Sequence, residues 1–161
     1  MIGSSTADRG VSVAVTHVLT IGITTILIGM LLMGASTMLE SETERSAENS
    51  LETIGERLAD EISNVDRIAN EEDDSVTMTA DHPRQVANTG YTVELLPESE
   101  CADAPLLDGS TDCLQLTADD HDATVYVPLV VDADVEESSA IGGPIEIVSE
   151  ENEISIESDR P

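Results

Sequence analysis

Between residues 11 and 39 the chain carries no Asp, Glu, Lys or Arg, 29 residues in succession. An α-helix rises about 1.5 Å per residue, so this run is roughly 43 Å long, more than the roughly 30 Å hydrocarbon core of a bilayer. Val, Ile, Leu and Met dominate it. A cleaved export signal has an apolar stretch of only about 7–15 residues and ends in a small-x-small site. Here Met33-Gly34-Ala35-Ser36 has a small residue at the last position but not two before it. The expectation is a retained helix that crosses a membrane. Its plainest form is a single-pass anchor.

Everything after this run is acidic. Only Asp8 and Arg9 precede it, and the remaining carboxylates follow it, so residues 40–161 hold the whole formal net charge of -28. The six basic residues are all Arg, and there are two Tyr, no Phe and no Trp. Nucleic-acid binding is thereby excluded, because no basic face can be assembled to displace counterions and no aromatic set can stack on bases. Peripheral attachment to anionic lipid is excluded by repulsion. Many carboxylates, no Lys and few aromatics describe the surface of a halophilic protein. At molar salt the screening length shrinks to about 3 Å, and the charge then serves hydration and solubility.

The apolar run has internal order. Gly22, Gly29 and Ser36 recur every seven residues and share one helix face, which would let a second helix approach closely. Thr16, Thr20 and Thr24 recur every four; their hydroxyls can bond back to the preceding turn. His17 lies near the start of the span, where snorkelling to the interface suffices for it.

The first 39 residues set a short polar leader, ending in Arg9-Gly10, directly before Val11-Ser12-Val13 and the apolar run. This resembles the class III signal of type IV pilin-like proteins, particularly haloarchaeal ones. The resemblance implies that a prepilin peptidase cuts between Gly10 and Val11, with Arg9, Gly10 and Val11 as the processing site. It also implies that the apolar helix serves first as membrane anchor and then as filament core. Position 13 is Val where many haloarchaeal pilins carry Pro, which implies a divergent or minor member. Bacterial relatives carry Glu where this chain has Val15, a difference that says nothing about archaeal ones.

Beyond residue 39 the helix can continue. Leu51, Ile54, Leu58, Ile62 and Val65 fall at spacings of 3, 4, 4 and 3, an amphipathic stripe. It is too short for a stable coiled coil, so packing on the protein's own sheet is expected. Asn70-Glu71-Glu72-Asp73-Asp74 should end it. Strand-like runs follow at 76–79, 91–96, 114–117, 124–131, 145–148 and 154–158, rich in β-branched residues. Pro128 points to an edge or a break, and Glu150-Glu151-Asn152-Glu153 to a hairpin. The expected fold class is α+β: a long N-terminal transmembrane and amphipathic helix, then a small, mostly antiparallel sheet of four to six strands. The organisation is a cytoplasmic leader (1–10), a transmembrane or filament-core helix (11–39), its amphipathic continuation (40–70) and an acidic extracellular head (71–161).

Cys101 and Cys113 are the only cysteines. In a chain with the marks of export they suggest one disulfide, with free thiols and a metal pair as alternatives. No C-x-x-C, phosphate loop, H-E-x-x-H or nucleophile elbow occurs. Asp119-Asp120-His121-Asp122 and the alternating Asp132, Asp134 and Glu136 are what so acidic a chain contains by composition. Neither a metal nor another cofactor is expected, and no catalytic residue stands out. The expected role is structural: a pilin-like subunit of a cell-surface filament, partnered by the membrane, the peptidase and other pilin-like subunits. The alternative is a single-pass, membrane-tethered extracellular binding domain that does not polymerise.

Overall fold

In a computed structural model, residues 5–72, 75–104, 107, 109–120 and 122–159 are described, the side chains of 5–12, 36, 37, 40, 71, 72 and 103 aside. Helix α1 runs over Ser5–Glu72. It begins ahead of residue 11 because nothing between Thr6 and Gly10 stops a helix; Gly10 is only a weak breaker. The chain divides into two compact units, Met1–Glu42 and Thr43–Pro161. The second unit is the head.

Eight strands follow the helix: β1 (Val76–Asp81), β2 (Tyr91–Leu96), β3 (Cys113–Ala118), β4 (Thr124–Pro128), β5 (Asp134–Val135), β6 (Ser138–Ile141), β7 (Pro144–Glu150) and β8 (Glu153–Ser158). A one-turn 3-10 helix lies at Cys101–Asp103. The architecture is α+β and the strand pairing mostly antiparallel, as expected, but the strands form two sheets instead of one. Sheet I has the order β1-β7-β8-β5, with the β5–β8 pair parallel, and sheet II the order β4-β3-β2-β6, wholly antiparallel. The reason for the division lies between β8 and β6. Hydroxyls replace carbonyls there: the Ile156 amide donates to Ser138 Oγ at 3.0 Å and the Ile141 amide to Ser158 Oγ at 2.9 Å. A ladder of backbone bonds is thus interrupted while both amides remain satisfied.

The amphipathic stripe does what its spacing predicts. Leu51, Ile54, Leu58, Ile62 and Val65 are buried, joined by Ala47 and Ala59, in one core with Ile145, Ile147, Ile154 and Ile156 of sheet I and Val93, Leu95, Leu114 and Leu116 of sheet II. Gly55 sets the closest approach: a Cβ there would stand 2.7 Å from Val127 Cγ2 and 2.8 Å from Leu116 Cδ1. The helix is therefore seated directly on β3 and β4. Asp66, buried, ties it to the chain after β4; its carboxylate accepts from the amides of Asp132 at 2.9 Å and Ala133 at 3.1 Å, and from Asn70 Nδ2 at 3.2 Å. A buried carboxylate holds its place through such donors.

Tyr91 fills the core at the start of β2. Its hydroxyl donates to the Pro83 carbonyl at 2.7 Å, and burial pushes its ionisation up to about 12. Its ring lies so close to Gly142 that a Cβ at that position would overlap it. Pro128 ends β4, an edge strand, as its missing N–H requires.

The β7–β8 hairpin pairs Glu150 with Glu153 across a two-residue turn, Glu151-Asn152, at φ 53° and 68°. Both residues occupy the left-handed region that a type I′ turn demands, where Asn-Gly is the favoured pair and a Glu is strained. Replacing Glu151-Asn152 by Asn-Gly should stabilise the head by about 1 kcal/mol. The check is a rise in the thermal midpoint by circular dichroism, with no change in the folded spectrum.

Candidate functional site

Among the described residues, the apolar part of the helix is the first feature with functional content. Over Val13–Ala35, 23 residues, its mean hydropathy is 2.2, and none of it is buried. Large apolar side chains lie open on every side of it; Val18, Leu31 and Met33 are each more than 70% exposed. A helix apolar all round cannot be a surface element of a water-soluble domain; it requires lipid or other helices. At about 1.5 Å per residue its roughly 35 Å length is enough to cross a bilayer core.

The threonine row points inward to its own backbone. Thr20 Oγ1 donates to the Thr16 carbonyl at 2.8 Å, Thr24 Oγ1 to Thr20 at 2.7 Å, and Thr25 Oγ1 to Ile21 at 2.8 Å. These hydroxyls are satisfied within the helix, so the row can lie against lipid. Gly22 and Gly29 differ: a Cβ added at either meets no described atom within 4 Å. The same is true of Gly34, which the seven-residue spacing did not single out. The side chain of Ser36, third in that spacing, lies outside the described residues. So do the side chains of Arg9 and Val11; the backbone of Arg9, Gly10 and Val11 is helical.

Cys101 and Cys113 form a disulfide, with Cα atoms 6.0 Å apart, and both residues are fully buried. It closes the segment that joins the end of β2 to the start of β3. His121 lies outside the described residues. Of its acidic neighbours, Asp120 accepts the Thr89 hydroxyl at 2.9 Å. The backbone amide of Asp132 is held by Asp66, and Asp134 is in β5. Among the described residues, no group of three His, Cys, Asp or Glu side chains is placed to hold a metal ion.

One polar contact has no sequence signal. The His82 ring, wholly buried after β1, has Nε2 3.0 Å from Glu61 Oε2, and Glu61 Oε1 also receives Arg57 Nε at 3.1 Å. A carboxylate only accepts, so Nε2 is the protonated nitrogen. Nδ1 is buried with no hydrogen-bond partner among the described residues. This arrangement clamps the helix to the end of β1, twenty-one residues away in sequence. Spacing alone could not have found it.

Over residues 6–158 the chain matches DUF7266, a family of unknown function, and it belongs to that family. No curated protein and no solved structure matches it.

Proposed function

We propose that this DUF7266 chain is a structural, pilin-like subunit of an archaeal type IV pilus-like surface filament, held in the membrane by its N-terminal helix before assembly. The observation that carries the reading is the form of α1. Its first part is an all-round apolar span, and its later part carries the stripe that packs into the core of a β-rich head. Arg9-Gly10 before the span supplies the processing signal. The disulfide favours an oxidising compartment for the head, hence an extracellular head and a cytoplasmic leader. The acidic surface suits a medium of high salt, and no step of this role needs a catalytic group.

Mass spectrometry of the native N-terminus tests the reading. The mature chain should begin at Val11, and Gly10→Asp should leave the protein uncut. Recovery of Met1 to Gly10 on the surface-exposed protein would replace the filament by the tethered binding domain.

A further inference from the structure

Along β7 the inward positions are Ile145, Ile147 and Ser149, none of them more than 2% exposed. The first two are apolar and join the core, whereas the third presents a hydroxyl. That hydroxyl makes no hydrogen bond to any described residue. It is not sealed in apolar packing either, because Ser149 lines a cavity of about 540 Å³. A buried polar group without a protein partner calls for water or a ligand.

The cavity lies where the end of α1, the chain before β5 and the β7–β8 turn meet, and Ala69 and Ala133 in its wall are too small to close it. The groups around it favour positive charge. The last four carbonyls of a helix have no partner within it, and they carry the negative end of its dipole. The last turn of α1 holds no basic residue to offset them. Asn70 also lines the cavity; its Nδ2 is already given to Asp66, which leaves Oδ1 to accept. Glu150 and Glu151 are the charged residues of the described wall, and no Arg or His is among its described residues. Such a wall repels an anion and attracts a cation.

We propose that this cavity binds a hydrated divalent cation of the magnesium type, which ties the end of α1 to the β7–β8 turn. The Ser149 hydroxyl, Asn70 Oδ1 and the carbonyls of the last helical turn are the groups that meet its water shell. Glu150 and Glu151 supply the opposing charge. Two observations choose this ion. Among the described residues no three His, Cys, Asp or Glu side chains converge, so a dry cage of the kind calcium takes, with about 6–8 oxygen ligands, is not built here. Magnesium gives up its waters reluctantly and needs only one or two carboxylates. The cavity is also far larger than a bare ion fills, and it has room for the water shell. A double charge gains twice the attraction of a single one, so the ion is taken up in the presence of excess sodium. The proposal stands independently of the filament reading.

The test uses the full chain in neutral detergent at 2 M NaCl, where diffuse attraction to the acidic surface is screened. After treatment with EDTA and dialysis, MgCl2 is added at constant ionic strength. The thermal midpoint by circular dichroism should rise and then saturate, with its half-effect at millimolar magnesium or below. Ser149→Val continues the apolar row of Ile145 and Ile147 into the cavity. It should melt no lower than the wild type in EDTA and lose the response to magnesium. Ser149→Ala, which removes only the hydroxyl, covers the case in which the valine variant does not fold, and should raise the half-saturating concentration about tenfold. Glu146→Gln with Glu157→Gln removes charge from the outer face of sheet I, away from the cavity, and should leave that concentration unchanged. A response that never saturates, or that is the same in all variants, is diffuse counterion binding and would overturn the proposal. Manganese takes the same oxygen ligands and is paramagnetic. At substoichiometric amounts it should broaden the backbone amide resonances of Asn70, Ala133 and Ser149 before those of Glu146 and Glu157; the reverse order would also overturn the proposal.

Discussion

On transfer from 2 M to 0.1 M salt, the head should lose most of its thermal stability and unfold near ambient temperature. Two carboxylates 5 Å apart repel by roughly 0.8 kcal/mol in unscreened water. Lowering the salt from 1 M to 0.1 M lengthens the screening distance from about 3 Å to about 10 Å, which restores roughly 0.3 kcal/mol of that repulsion per pair. About twenty such pairs would consume the 5–15 kcal/mol by which a domain is typically stable. The structure places two of them in direct opposition, Glu146 with Glu157 and Glu150 with Glu153. Glu157→Arg turns one into an attractive pair and should recover about 1 kcal/mol at 0.1 M, with little effect at 2 M, where the pair is screened in either form. Circular dichroism of the full chain in neutral detergent, melted across that salt range, is the measurement. A midpoint that does not move with salt would remove the halophilic account of the acidic surface.

How far the fold was legible depends on which interaction carried each element. The helical stripe could be read because its five apolar residues repeat at 3.6-residue spacing and all five enter the core. Strand β2 was placed at its observed bounds, and the β7–β8 hairpin at its turn, because alternation and the acidic tetrapeptide are local signals. What escaped was non-local or chemically faint. Strand β6 is Ser-Ser-Ala-Ile, with little β-branched character, and β5 is two residues long. Hence six strands were expected at most, and one sheet. The division into two sheets depends on the hydroxyls of Ser138 and Ser158, which no periodicity advertises. Pro128 ended β4 three residues before the apolar run itself ends, as its missing donor would have it.

The candidate site divides the same way. An uncharged run is plain in any composition scan, and the cysteine pair was correctly joined because a chain with two cysteines admits only one bridge. Asp66, Glu61 and His82 were invisible: each is one acid or histidine among many, distinguished only by partners far off in the chain.

Replacing Gly29 by Leu should abolish filaments while leaving the subunit inserted and processed. Leu is slightly favoured over Gly in a membrane span, so insertion survives. The proposed processing site, Arg9 and Gly10, lies some twenty residues earlier. The chain's own fold is also spared, because a Cβ at Gly29 meets no described atom within 4 Å. Among the described residues, then, nothing stands against the added Cβ, and the effect is expected from a neighbouring helix. Membrane helices are held together by close packing, not by exclusion from water, so a bulky residue on the contact face removes the attraction without any compensating gain. Ile28→Leu, off that face and of equal volume, is the control and should assemble normally. Shearing of surface filaments, with the membrane fraction probed for inserted and cleaved subunit, separates the two variants. If both assemble alike, the Gly22, Gly29 and Ser36 face is incidental, and the span is a tether with no helix partner.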